Sequence, residues 1–152
     1  MSDKKFGRYI SMLTKYTHSY FDHELKSTSL GRGDFAHIMR LYEKDSVTQD
    51  YLSKKICVDK GSTAKVIKRL LDLGYVTREI NPEDKRSNLI RLTEKAWELK
   101  KEMMTLTSQW DEVVKIGISE EEFDLFIKIA MKMAENAKNY HEYAYKGEFN
   151  ER

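Results

Sequence analysis

Apolar residues recur at three- and four-residue steps over most of the chain, the spacing that gathers them on one face of a helix. Phe6, Tyr9, Ile10, Leu13, Thr17, Tyr20 and Leu25 step this way and predict a first long helix that ends in the serine- and glycine-bearing stretch 27–33. Phe35, Ile38, Met39 and Tyr42 predict a second, shorter helix, and Leu52 with Ile56 a third, which Thr48 would cap. Asp59 is placed to cap a fourth, in which Ala64, Ile67, Leu70 and Leu71 form the apolar stripe and Gly74 supplies the stop. At about 100° per residue, the opposite side carries Gly61, Ser62, Lys65 and Arg69, with Lys68 at its flank. That side is polar, basic and slim at its N-terminal end.

After Gly74 the period changes from helical to alternating. Residues 75–80 and 88–92 read as two strands, and the charged, turn-like connection NPEDKRS makes them a hairpin with an exposed tip. From Thr93 a helix resumes on Ala96, Leu99, Met103, Leu106, Trp110 and Val113, breaking near Gly117. Ser119 and Glu122 then form a capping-box pattern, with Ile118 and Phe123 at the hydrophobic-staple positions. The last helix carries one apolar side from Phe123 through Phe126, Ile127, Ala130, Met133 and Ala137 to Tyr140 and Ala144. The fold class is therefore mainly α with a small β component, a winged helix-turn-helix with a two-stranded hairpin and long helices at both ends.

Composition narrows the chemistry. The longest stretch free of charge runs from Met103 to Trp110, far short of the roughly 20 apolar residues a spanning helix needs, so no membrane association is expected. The first residues lack an apolar run and a cleavage site, which predicts a cytoplasmic chain. Cys57 is the single cysteine and the four histidines are scattered, so neither a disulfide nor a metal site is expected, and no cofactor. No phosphate-cradling glycine loop, nucleophile elbow or metal spacing supports an enzyme. The net charge is only +2, yet between Lys60 and Arg91 eight basic residues meet four acidic ones. A central basic segment of this kind is the footprint of a region that meets phosphates, and a solvated mixed-charge surface is the plainer alternative.

The segment DKGSTAKVIKRLLDLGYVTREINPEDKRSNLIRLT, 59–93, resembles the MarR family (multiple antibiotic resistance regulators) of transcriptional regulators. Asp59, Lys65, Leu70, Gly74, Pro82, Asp84, Arg86, Leu92 and Thr93 match the family pattern of a capped recognition helix followed by a Pro-x-Asp-x-Arg wing. The similarity covers about residues 30–100; the terminal helices agree in position and length only. Ala64 stands where many members have a hydroxyl residue and Lys65 where arginine is common, so sequence preference does not carry over. The resemblance implies one domain over 1–152, with a DNA-binding lobe at about 34–92 and dimerisation helices at about 5–27 and 93–145. The implied activity is that of a homodimeric regulator, a repressor, on a near-palindromic operator in double-stranded DNA, released by a small aromatic effector.

Within that frame Gly61 and Ser62 permit close approach, Ser62 and Thr63 offer phosphate contacts at the helix start, and Lys65, Lys68 and Arg69 reach phosphate or guanine. Arg86 at the wing tip would enter the minor groove, Lys85 beside it is a further DNA-binding candidate, and Asp84, repelled by phosphate, would pair with Arg86 and fix its direction. Tyr16, Tyr20, His37 and Met39 are candidates to line an effector crevice, but such stripes are more often core, so no ligand residue is assigned. Cys57, in the turn, reads as a small packing residue rather than a redox sensor. The alternative function is a winged-helix dimer that binds protein and not specific DNA.

Overall fold

Local capping sets most of the helix boundaries in the computed structural model, which describes residues 5–146. Helix α1 (Phe6–Glu24) runs into a 3₁₀ turn at Leu25–Ser27, and α2 (Arg32–Glu43) begins where the Asp34 carboxylate accepts the Gly31 N–H at 2.8 Å. The Thr48 hydroxyl accepts the Tyr51 N–H at the start of α3 (Gln49–Ile56), and Asp59 accepts the Ser62 N–H at the start of α4 (Lys60–Asp72). Gly74, at φ +77°, ends α4 in the left-handed conformation that a side chain would strain. Thr93 caps α5 (Glu94–Glu98), which a break at Leu99 separates from α6 (Lys100–Val114). The single helix expected from Thr93 is thus two. Ser119 and Glu122 close a reciprocal capping box on α7 (Glu120–His141), which passes into a π-turn at Glu142–Lys146.

The hairpin pairs β2 (Val76–Ile80) with β3 (Asn88–Leu92) from Val76↔Leu92 to Ile80↔Asn88. It is not two-stranded alone. A short strand, β1 (Val47–Thr48), adds to the other edge of β3 at Val47↔Ile90 and Thr48↔Leu89, giving the antiparallel order β1-β3-β2. Asp45, just before it, accepts the Leu92 N–H at 2.8 Å. The wing is therefore anchored to the segment that leads into α3.

Two compact units make up the chain, residues 1–110 and 111–152. The first holds a core of Leu25, Ile38, Leu41, Leu52, Ile67, Leu70, Ile90 and Met103, each at most 2% exposed. Only the C-terminal part of α1 joins it, through Phe21 against Phe35 and Tyr20 stacked on Trp110, with the Tyr20 hydroxyl donating to the Leu106 carbonyl. Further toward the N-terminus, Phe6, Tyr9, Met12, Leu13 and Tyr16 are more than 40% exposed. In the second unit α7 has no buried residue, and Leu125, Phe126, Ile127, Ile129 and Met131 all stand open. Among the described residues no helix is long and apolar enough to cross a membrane.

Candidate nucleic-acid interface

Helix α4 is seated by Thr63, Ile67 and Leu70, all fully buried, with Val66 partly covered beside them. This stripe is turned by one residue from the one the sequence suggested, because Ala64 is exposed and Thr63 takes the inner position. Thr63 is consequently removed from the contact set: its hydroxyl lies 3.4 Å from His37 Nε2 on α2, inside the lobe. His37 in turn donates from Nδ1 to the Gly33 carbonyl at 2.7 Å, and burial holds its pKa below the usual histidine value.

Gly61, Ser62, Lys65 and Lys68 occupy the outer side of α4, all exposed. The Ser62 N–H and hydroxyl both point to Asp59, at 2.8 and 2.6 Å, and these bonds hold the Asp59 carboxyl below the ordinary carboxylate range. Ser62 thus builds the cap as well as the surface. A Cβ on Gly61 would meet Asp59 Oδ1 at 3.2 Å, so the glycine leaves room for the cap.

Arg69 is exposed like its neighbours but is engaged within the lobe. Its Nε donates to Asp34 Oδ2 at 2.8 Å and its Nη2 to the Ser29 carbonyl at 2.5 Å, turning the guanidinium toward the start of α2. Sequence reading missed Asp34 as its partner because the two lie 35 positions apart and no local pattern joins them. Asp50 on α3 was also missed. It bridges Lys54 at 2.8 Å and Lys60 at 3.0 Å, and both lysines lower its pKa, Lys54 first. The Lys54 half, an i,i+4 pair, was readable from spacing.

In the wing tip, residues 81–87, the Asp84 carboxylate accepts the Arg86 backbone N–H at 3.0 Å, and the Asp84 carbonyl accepts the Ser87 N–H. The expected side-chain pairing between Asp84 and Arg86 is absent among the described residues; Asp84 shapes the turn through the backbone instead. Lys65, Lys68, Lys85 and Arg86 are exposed and make no ion pair among the described residues. Neighbouring cations are engaged internally, Arg78 with Gln49 and Arg91 with Glu79. Cys57 does not pack: it is exposed, at φ 59°, in the turn between α3 and α4. Tyr16 is exposed on α1, Tyr20 stacks on Trp110, His37 is buried and Met39 packs partly buried against the core; an open crevice of about 430 Å³ is lined by Asp22, Lys26, Ser29, Arg32 and Arg69 among others. No group of three metal-ligating side chains occurs among the described residues.

The model of the MarR family matches residues 30–87, the span from the entry to α2 through the wing. A MarR transcriptional regulator from Methanosarcina mazei Go1 is 31% identical, the match covering 88% of this chain and 96% of that one at a TM-score of 0.79. The chain belongs to the MarR family. As a MarR-family chain it is a transcriptional regulator with a winged-helix fold. The HTH-type transcriptional regulator YybA of Bacillus subtilis (strain 168) is 26% identical over 92% of this chain and 93% of its own length. The fold is shared as well with a mutant MarR from E. coli complexed with operator DNA, at 22% identity and a TM-score of 0.76, covering 86% of this chain and 94% of that one.

Proposed function

We propose that this MarR-family chain binds a near-palindromic site in double-stranded DNA as a homodimer and represses transcription there. The observation that carries the reading is the set Lys65, Lys68, Lys85 and Arg86, exposed on the recognition helix and the wing tip with no carboxylate partner among the described residues. Cations held away from internal carboxylates are available to phosphate and base edges. Gly61 and Ser62 let the first turn of α4 approach closely, while Thr63, Ile67 and Leu70 fix the helix from behind. A structural relative, a mutant MarR from E. coli complexed with operator DNA, supports double-stranded DNA as the partner. The exposed apolar residues of α1 and of α7 give each helix a face for a second copy of the chain, and two copies present two recognition helices to one palindrome. Such a repressor works in the cytoplasm, where its DNA lies, and its release would follow from a small ligand that alters the lobe.

The test is duplex binding across salt. A random-sequence duplex pool is selected against the protein, and the affinity of the recovered duplex is measured between about 50 and 200 mM salt. The expected result is a log–log slope of about −0.9 for each phosphate contact. A protein-interaction module would recover no duplex and show no such slope, and that outcome would overturn the reading.

A further inference from the structure

Arg69 lies on the recognition helix with its side chain half exposed, yet its guanidinium is engaged at the start of α2, and its partner is unusual. Asp34 is 3% exposed, and its Oδ2 accepts two donors, the Gly31 N–H and Arg69 Nε, each at 2.8 Å. The second arm of the guanidinium reaches the Ser29 carbonyl. The corner so gripped is itself ordered, since the Thr28 hydroxyl donates to the Leu25 carbonyl at 2.8 Å and accepts the Leu30 N–H at 3.0 Å. The same corner is tied to α1 by Arg32, whose Nε donates to Asp22 Oδ1 at 2.6 Å. Two ion pairs in succession, Asp22–Arg32 and Asp34–Arg69, therefore join α1 to the recognition helix through the first turn of α2. A carboxylate this buried, already bonded to a backbone N–H, holds its second donor in one place.

We infer that Arg69 is a positioning residue for DNA binding: its fork on Asp34 and the Ser29 carbonyl fixes the angle of α4 against α1, and with it the half-site spacing that the dimer accepts. The inference rests on the DNA-binding reading above. A planar guanidinium can hold two acceptors at once, whereas a lysine holds one position as a point charge, so the geometry asks for arginine. The role is distinct from a phosphate contact in sign and in salt dependence. Removing Asp34 deletes a negative charge, which by simple electrostatics would help a protein approach DNA; a positioning role predicts a loss.

The experiment uses the full chain and the duplex recovered with the wild type, together with versions carrying one base pair inserted or deleted between the half-sites. Arg69→Ala and Asp34→Asn are each expected to weaken binding to the original duplex about tenfold or more, the scale of a lost charge-assisted hydrogen bond. The salt slope is expected to stay at the wild-type value, and the penalty for altered spacing to shrink. A combined Arg69→Ala/Asp34→Asn variant should be no worse than either alone, since both remove one coupled contact. Arg69→Lys, which keeps the charge, separates the readings if alanine unfolds the lobe: a positioning fork loses affinity and spacing discrimination with lysine, a phosphate contact keeps them. The inference is overturned if Arg69→Ala lowers the slope by about 0.9 per contact, if Asp34→Asn binds more tightly, or if spacing discrimination is unchanged in the folded variants. If the wild type recovers no duplex, the DNA-binding reading fails instead.

Discussion

Thr63 and Lys65 stand two positions apart on one helix and end on different sides of it, one fully buried against His37 and the other open to solvent. Roles at this scale depend on partners. The Arg86 side chain has none among the described residues, so Arg86→Ala should leave the melting temperature unchanged while duplex affinity falls by about 1–3 kcal/mol per half-site. Titration of the recovered duplex measures it. Asp84→Ala should also weaken binding, because the carboxylate that accepts the Arg86 N–H shapes the tip; a gain in affinity would mean that its charge matters more than its bond. His37 offers a pH test. Burial lowers its folded-state pKa below 6.5, so over the interval beneath that value the unfolded chain holds more protons than the folded one. Its contribution to stability is thus present above about pH 6.5 and lost as pH falls toward the folded value. Denaturation at pH 7.5 and 5.5 should show a smaller drop in a His37→Gln variant than in the wild type.

Elements were legible wherever a local rule governs them. Thr48, Asp59 and Ser119 start their helices through the side-chain bonds that their positions imply, and Gly74 and Gly117 occupy left-handed stops. A direct consequence is that Thr48→Ala should cost about 1 kcal/mol in denaturant unfolding, with the same slope against denaturant as the wild type. Two features escaped. Strand β1 has two residues, too few to carry an alternation, and exists because the exposed edge of β3 is there to pair with. The break at Leu99 lies inside an unbroken apolar period, and the pattern records which residues are apolar without recording where a hydrogen-bonded turn tightens.

For the whole molecule, the open question is what covers the apolar surface that α1 and α7 leave exposed. Residues such as Phe126, Ile127 and Ile129 stand 41–47% exposed on one helix, more than scattered surface apolar residues require. If a second copy covers them, Phe126→Asp should convert a two-chain species to one chain in sedimentation at micromolar concentration, with the helical circular dichroism of the 1–110 unit retained. An unchanged mass would remove α7 from the interface. Dimer formation would also make the melting temperature of the wild type rise with protein concentration.

Periodicity, caps and the wing motif determined the helix order, the hairpin and the basic recognition helix from the sequence alone, because each depends on residues within a few positions of one another. The 59–93 pattern reached the family for the same reason. The tertiary structure decided which cations are free. Arg69 is indistinguishable from Lys65 and Lys68 along the helix, and only the arrival of Asp34 and the Ser29 carbonyl from 35 and 40 positions away engages its guanidinium within the lobe. Thr63 stands four and seven positions before Ile67 and Leu70, so its nearness to the apolar stripe was legible, and the structure added His37, 26 positions earlier, as its partner. Contacts across such separations are set by how helices stack, and a linear pattern carries no term for that.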